Sequence, residues 1–447
     1  WNTQNFFQPT RAELVQDCAS LLYGLFQNAF QFLDLDDNLW KTSVFDYVDK
    51  ISLLYDDEIE FHNWHHASHV LISTHHLMQH YQDKSNHHHH RRPSGTTITT
   101  ITTNPITCPF LHFVMVLSAL IHDVEHLGVT NIQLEKEQHE LVVKIVGAEK
   151  EESNNHENNS HKLKDTKSSY LEAHSIVVGL QVMKQDFTAL YNAIVQHYPY
   201  FCTLVEQVVL ATDISSADRR GQCALHWQTA FGNLQQEDSG EEAAEEEQQP
   251  QDEDQVLALQ EKTDQMTITM KHENNGINDG TTKSCHSTDG YCSTNGQSQQ
   301  QQQVTTTTVI SARTTRSRTT PIYYDIKTRA ILEHIVQAAD VSHCCQKFET
   351  FLQWNEALYR ERLVAFLQNR GDDPRLNWYE SNVGFFQFYI VPLATKCDLV
   401  LDMSGTILKQ AKLNLEEWKL RGQKLTLEMQ TKYTPEKIFP ELSVLQS

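Results

Sequence analysis

The twelve residues from Phe110 to Ile121 are apolar on every side of a helix, interrupted only by His112 and Ser118. A helix of that kind has to be surrounded by other chain, so it commits the protein to a core built around it. The run leads directly into His122-Asp123-Val124-Glu125-His126. Imidazole and carboxylate groups therefore emerge from the floor of a core, where burial is costly unless they are hydrogen-bonded, paired or bound to a cation. The reading expects a metal site here, with two imidazoles one helical turn apart.

Two further stretches extend it. In Phe61-His62-Asn63-Trp64-His65-His66-Ala67-Ser68-His69-Val70, residues 62, 66 and 69 follow the i, i+4, i+7 spacing of one helix face. A third apolar helical run, Ile331 to Ala339, closes on the carboxylate Asp340. His and Asp without Cys suit zinc, manganese, iron or magnesium, and the share of oxygen ligands favours a catalytic over a structural site. An Asp between two such clusters is suited to bridge two ions roughly 3.5 to 4 Å apart. A His of the set that is not a ligand is then a natural general acid. Spacing alone leaves His66 and His69 equal as candidate ligands.

The ordered motifs His-Asn-x-x-His, His-Asp-x-x-His-x-Gly-x-x-Asn and Ala-Ala-Asp-x-Ser, starting at His62, His122 and Ala338, together resemble the catalytic domain of class I 3',5'-cyclic nucleotide phosphodiesterases, an all-helical branch of the HD-type metallohydrolases. Tyr170 to His174, Thr212 to Ser215, Trp354 to Arg362, and Val383 to Phe386 with Pro392-Leu393 fit the same family in the same order. The resemblance implies an all-α, compact multi-helix fold and hydrolysis of cAMP or cGMP to the 5'-monophosphate, ending a cyclic nucleotide signal. It implies His62 as proton donor to the ribose 3'-oxygen. It gives His66, His122, Asp123 and Asp340 as ligands of a first ion, Zn2+, and has Asp123 bridge to a second, Mg2+, with Mn2+ admissible. His126, Glu172 and Thr212 would orient water ligands. Phe385 would stack on the purine with Leu358 opposite, beside Asn382 and His343.

Substrate recognition is where the chain departs from the pattern. Asn382 stands where the family usually has Gln, so its amide reaches one methylene less far toward a purine edge. His343 replaces a frequent Asn, Phe61 a frequent Tyr, and His69 a frequent Asp. The alternatives are a broader HD-type nucleotide phosphohydrolase, should purine recognition be lost, and a cyclic-nucleotide-binding sensor that no longer turns over.

Helical spacing predicts helices over Ala12 to Phe32, Trp64 to His80, Pro109 to Asp123, Tyr170 to Lys184, Phe201 to Ala211, Lys327 to Ala339, Phe348 to Arg370, Val383 to Leu401 and Ile407 to Thr431. Motifs of one centre run from residue 62 to 385, so the chain of 447 residues reads as one catalytic domain over 1–447. The surplus falls in inserts at 83–107, 148–168 and 235–321, too poor in apolar residues to offset their ordering entropy and so expected to be disordered. The net charge of -22 is concentrated: Glu237 to Asp254 holds ten acidic residues and no basic one, a solvated segment. No basic, aromatic-interleaved surface suggests nucleic acid. Nine scattered cysteines without a Cys-x-x-Cys pair favour a reducing, cytoplasmic setting. His65, His75, His76 and His80 are expected in solvent. No apolar run is expected to span a bilayer, and a start at Trp1 suggests a fragment. That leaves room for a regulatory, cyclase or membrane module upstream, and for a homodimer.

Overall fold

The apolar run forms a helix, Pro109–Ile121, in which eleven of thirteen residues are buried. A computed structural model of the chain describes residues 9–32, 37–81, 108–145, 168–232 and 325–438 around it. In chain order the elements are α1 (Arg11–Ala29), α2 (Asp37–Ser52), α3 (Trp64–Gln79), α4 (Pro109–Ile121), α5 (Asn131–Glu137), α6 (Tyr170–Asp186), α7 (Thr188–His197), α8 (Phe201–Leu210), α9 (Ala217–Phe231) and α10 (Ile326–Asp340). A 3-10 turn, Ser342–Cys345, then leads to α11 (Phe348–Leu367), α12 (Trp378–Phe385), a π-helical segment Phe386–Ile390, α13 (Val391–Val400), α14 (Thr406–Lys432) and α15 (Pro435–Ile438). The fold is all-α: among the described residues the sole β feature is an isolated bridge between Tyr81 and Leu401. The inserts expected at 83–107, 148–168 and 235–321 lie outside the described residues, apart from Ser168, and so does the whole acidic run from Glu237 to Asp254.

Helix α4 is central because α1, α3, α8 and α10 all pack on it. A large core results, containing Phe113, Leu117, Trp64, Trp354 and Trp418, with a small second cluster of Val129, Leu134, Leu141, Leu171 and Ala365. Each fully buried large side chain contributes about 1.5–3 kcal/mol relative to exposure. Helix α6 approaches closely at Gly179, where a Cβ would lie 2.9 Å from Ile121 Cδ1. Four N-caps set where site-bearing elements begin. Asn63 caps α3, Thr130 α5, Ser216 α9 and Asp325 α10, each accepting backbone N–H bonds through its side-chain oxygen.

The structure revises several local expectations. Helix α3 starts only at Trp64, so His62 precedes it and does not share a helical face with His66 and His69. Helix α4 ends at Ile121, and residues 122–125 form a turn in which Glu125 has φ 57°. His122 and His126 are thus not stacked one turn apart on a helix. The helix expected from Val383 begins earlier, at Trp378, and carries the π segment. Helices α2, α5, α7, α9 and α15 were not expected. His65, His75, His76 and His80 are half-buried, and His75 Nδ1 lies 3.0 Å from His112 Nε2.

One helical run, Trp378–Val400, has the length and mean hydropathy, 1.2, of a bilayer span, contrary to the expectation of none. Phe386, Ile390, Leu393, Ala394 and Cys397 along it belong to the protein core, while Phe388 and Leu399 are exposed.

Candidate active site

Helices α3, α4 and α10 converge on one point. His66 lies in the first turn of α3, placed by the Asn63 cap; His122 and Asp123 sit where α4 unwinds; Asp340 is the last residue of α10. His66 Nε2 is 3.0 Å from Asp340 Oδ1 and 3.7 Å from Asp123 Oδ2. His122 Nε2 is 3.0 Å from Asp123 Oδ2 and 3.5 Å from Asp340 Oδ1. His122 Nδ1 donates to the Ala119 carbonyl at 2.9 Å, which turns Nε2 toward the carboxylates.

Burial opposes a charged His122, but Asp123 and Asp340 outweigh it and raise its pKa well above the imidazole range. Burial likewise opposes charge on Asp123 and Asp340, and the facing imidazoles hold both pKa values low. Even so, His122 Nε2 and Asp123 Oδ2 are buried atoms without a hydrogen-bond partner. Ligand atoms of His66, His122 and Asp340 lie within 4.8 Å of one another. Orphaned nitrogen and oxygen donors converging at that spacing fit a divalent cation of the zinc or magnesium class.

A second cluster stands beside the first. Glu361 of α11 places Oε1 2.6 Å from His62 Nδ1, while its Oε2 accepts the backbone N–H groups of Phe61 at 2.9 Å and His62 at 3.0 Å. Burial opposes the imidazolium, yet Glu361 overrides it and raises the His62 pKa. The His126 ring stacks on His62 at 3.9 Å. Burial first, then the neighbouring His62 charge, push His126 down to about 3, so it is the neutral member of the pair. Its Nδ1 accepts from the Gly128 N–H at 3.1 Å, leaving Nε2 to carry the proton. Gly128 has φ +68°, a conformation that costs a residue with a Cβ.

On the opposite wall, Asn131 donates to Glu172 Oε2 at 2.9 Å. Desolvation and then the Asp213 charge raise the Glu172 pKa to about 8. Asp213 accepts from the Ser169 hydroxyl at 2.6 Å and the backbone N–H groups of Ser215 and Ser216 at 3.1 and 3.0 Å, holding the 212–216 loop against the wall. Thr212 gives its hydroxyl proton to the Val209 carbonyl at 2.7 Å.

These walls enclose a cavity of about 410 Å³. Of the residues singled out in the sequence, His62, His122, Asp123, His126, Glu172, Thr212, Asp340, His343, Leu358, Asn382 and Phe385 line it, and His66 sits directly beneath. The Asn382 amide is held at both ends: Oδ1 accepts from Asn355 Nδ2 at 2.6 Å and Nδ2 donates to the Trp378 carbonyl at 2.8 Å. Trp378 Nε1 can only donate, and it does so to Asn355 Oδ1 at 3.0 Å. That bond forces Asn355 to present its NH2 to Asn382 and so sets the orientation of the second amide.

Sequence reasoning gave no role to Glu361, Asn131, Asp213, Asn355 or Arg362, although all five lie in the motif and stretches that carry the family resemblance. The helical period offered a signal for two of them, since Glu361 and Arg362 follow Leu358 at i+3 and i+4 on one face of α11. His69 lies apart from the carboxylates, its Nε2 3.0 Å from Gln346 Nε2.

A model of the 3'5'-cyclic nucleotide phosphodiesterase family matches residues 61–411. Among solved structures, the phosphodiesterase domain of Salpingoeca rosetta rhodopsin phosphodiesterase is similar at 14% identity and a TM-score of 0.52, covering 97% of this chain and 96% of its own. The phosphodiesterase domain of the RhoPDE fusion protein from the same choanoflagellate is similar at 16% identity and 0.52, covering 95% and 97%. LmjPDEB1 in complex with IBMX is similar at 14% and 0.51, covering 92% and 88%. At these identities the likeness concerns the fold. No curated protein matches the chain.

Proposed function

Since the chain belongs to the 3'5'-cyclic nucleotide phosphodiesterase family and is a cyclic nucleotide phosphodiesterase, we propose that its cavity binds cAMP or cGMP and breaks the bond between phosphorus and the ribose 3'-oxygen. The observation that carries this reading is the pairing of a part-buried His62–Glu361 couple with the His66, His122, Asp123 and Asp340 cluster around one cavity. One group of residues suits a proton donor and the other suits a cation that activates water.

His66, His122, Asp123 and Asp340 would hold Zn2+, and Asp123 would also reach a second ion, Mg2+ or Mn2+. Bound there, the ions would polarise the phosphoryl oxygens and lower the pKa of attacking water toward neutrality. The chain's own groups do the rest. His62, charged through Glu361, gives the proton at Nε2 to the departing 3'-oxygen and keeps Nδ1–H on the carboxylate. Neutral His126 stacks on it without adding a second positive charge. His126 beside His62, and Glu172 and Thr212 on the opposite wall, orient water. Phe385 and Leu358 sandwich the base.

Asn382 meets the purine edge with what its two internal bonds leave, one N–H and one lone pair. An amide pinned in this way cannot invert to serve adenine and guanine alike, so one of the two nucleotides should be preferred. The described cysteines are free, which suits a reducing cytoplasm. The whole chain is read as one catalytic domain, with 83–107, 148–168 and 235–321 as inserts. Product assays with cAMP and cGMP side by side, in zinc and magnesium, test the reading. His62→Ala should lower kcat by on the order of a hundredfold with KM nearly unchanged. Full activity in that variant would remove His62 from the role of acid.

A further inference from the structure

Arg362 lines the cavity, yet it makes no hydrogen bond or ion pair with another described residue. Its neighbour Arg360, by contrast, is paired with Glu60. A half-buried guanidinium in a cavity wall is satisfied only when a ligand brings acceptors to it. Its place in the wall narrows what that ligand group is. Asn355, Leu358 and Arg362 follow one another at i, i+3 and i+7 along one face of α11. The face runs from the Asn355–Asn382 bond, past Leu358, to Arg362 about 6 Å further along the axis. There its charge opposes protonation of His62 and His126. Trp378, Ser381, Asn382 and Phe385 of α12 complete the same side of the cavity. A base resting on Leu358 therefore has an amide at one edge and a guanidinium at the next.

We propose that Arg362 reads the O6 and N7 edge of guanine and so makes cGMP the preferred substrate. The proposal rests on the cyclic nucleotide reading above. A guanidinium can only donate. Guanine presents two adjacent acceptors, O6 and N7, at a spacing that suits its fork, whereas adenine keeps N7 and replaces O6 by an N6 amine, which is a donor. Adenine in the same place would set donor against donor and leave one prong of the fork unpaired. Asn382 is compatible with the assignment. Its remaining N–H and lone pair can meet guanine O6 and N1–H from the other side, and the two lone pairs of O6 let both residues share that oxygen. The pinned amide favours one nucleotide over the other, and Arg362 decides which.

Steady-state kinetics of the full chain in zinc and magnesium, with cGMP, cAMP and 7-deaza-cGMP as substrates, test this. Wild type should favour cGMP. The 7-deaza substrate, which lacks the N7 acceptor, should have a higher KM than cGMP. Arg362→Leu should lower the cGMP-to-cAMP ratio of kcat/KM about tenfold to a hundredfold, chiefly through KM, and should erase the difference between cGMP and its 7-deaza form. Arg362→Lys, a point charge without the fork, should fall between wild type and Arg362→Leu. A wild type that favours cAMP, or a 7-deaza substrate as good as cGMP, would overturn the proposal. So would a ratio unmoved in Arg362→Leu because both nucleotides lose equally, which would put Arg362 on the phosphate or ribose that they share. If Arg362→Leu does not fold, the wild-type comparison of cGMP with 7-deaza-cGMP decides by itself. No turnover of either natural nucleotide would instead remove the cyclic nucleotide reading, and the proposal with it.

Discussion

Glu361 holds the Phe61–His62 segment by three bonds at once. One carboxylate oxygen takes the ring Nδ1 at 2.6 Å, and the other takes the backbone N–H groups of Phe61 and His62 at 2.9 and 3.0 Å. Ring and backbone are thereby fixed together before a substrate arrives, and the same carboxylate favours the charged ring by raising its pKa. A side chain held in this way spends little free energy on orientation at the moment of reaction.

Replacing that carboxylate separates orientation from charge. Glu361→Gln keeps a hydrogen-bonding shape but removes the charge that raises the His62 pKa. A general acid acts only while protonated, so activity falls as pH rises through its pKa. The basic limb of the kcat profile should move to lower pH, and kcat at neutral pH should drop roughly tenfold to a hundredfold. A basic limb that stayed in place would show that another group titrates.

Removal of divalent cations should abolish turnover and lower the melting temperature. Ligands that bind the folded state alone stabilise it by about 2.7 kcal/mol at a hundred times Kd. Added Zn2+ should raise the melting temperature of the stripped protein and release protons, because His122 is raised by its carboxylate neighbours when no cation is bound. His122→Ala and Asp340→Ala should lose both the thermal response and the activity. An unchanged thermal response in both variants would place the cation elsewhere.

The Asn355–Asn382 bond should control nucleotide choice. Asn382→Ala should raise KM by the loss of a hydrogen bond in a buried setting, roughly 1–3 kcal/mol. Asn355→Ala leaves Asn382 in place but frees its amide to rotate, so the ratio of kcat/KM for cAMP and cGMP should move toward unity. If that ratio held constant, Asn382 would not be reading the base.

Glu172 should make the cation-free protein less stable in mild alkali. Its folded pKa is raised to about 8 against an ordinary value of 4.5. Between these two pH values the folded state holds a proton that the unfolded state has released, so stability falls as pH rises through that window. Glu172→Gln should flatten the dependence. Chemical denaturation from pH 5 to pH 8, with wild type and variant compared, measures it, and parallel curves would exclude Glu172 as the source.

Helical spacing was enough to read the all-helical class and the core helix α4, since an all-apolar run of that length can only be buried, and the family resemblance pointed to eleven residues of the cavity wall. Periodicity misplaced His62 and the His122–His126 pair, since it assumes a continuous helix. An Asn63 cap and the unwinding after Ile121 instead send His62 and His126 to one cluster and His122 to the other. Helices α2, α5, α7, α9 and α15 escaped it because the packing that holds them comes from elsewhere in the chain. That Glu361, 299 residues from His62, is its partner, and that Asn355 and Trp378 hold Asn382, became visible with the packed helices. Hydrogen bonds between distant segments leave no period in the sequence, and the direction of an amide is set by its neighbours.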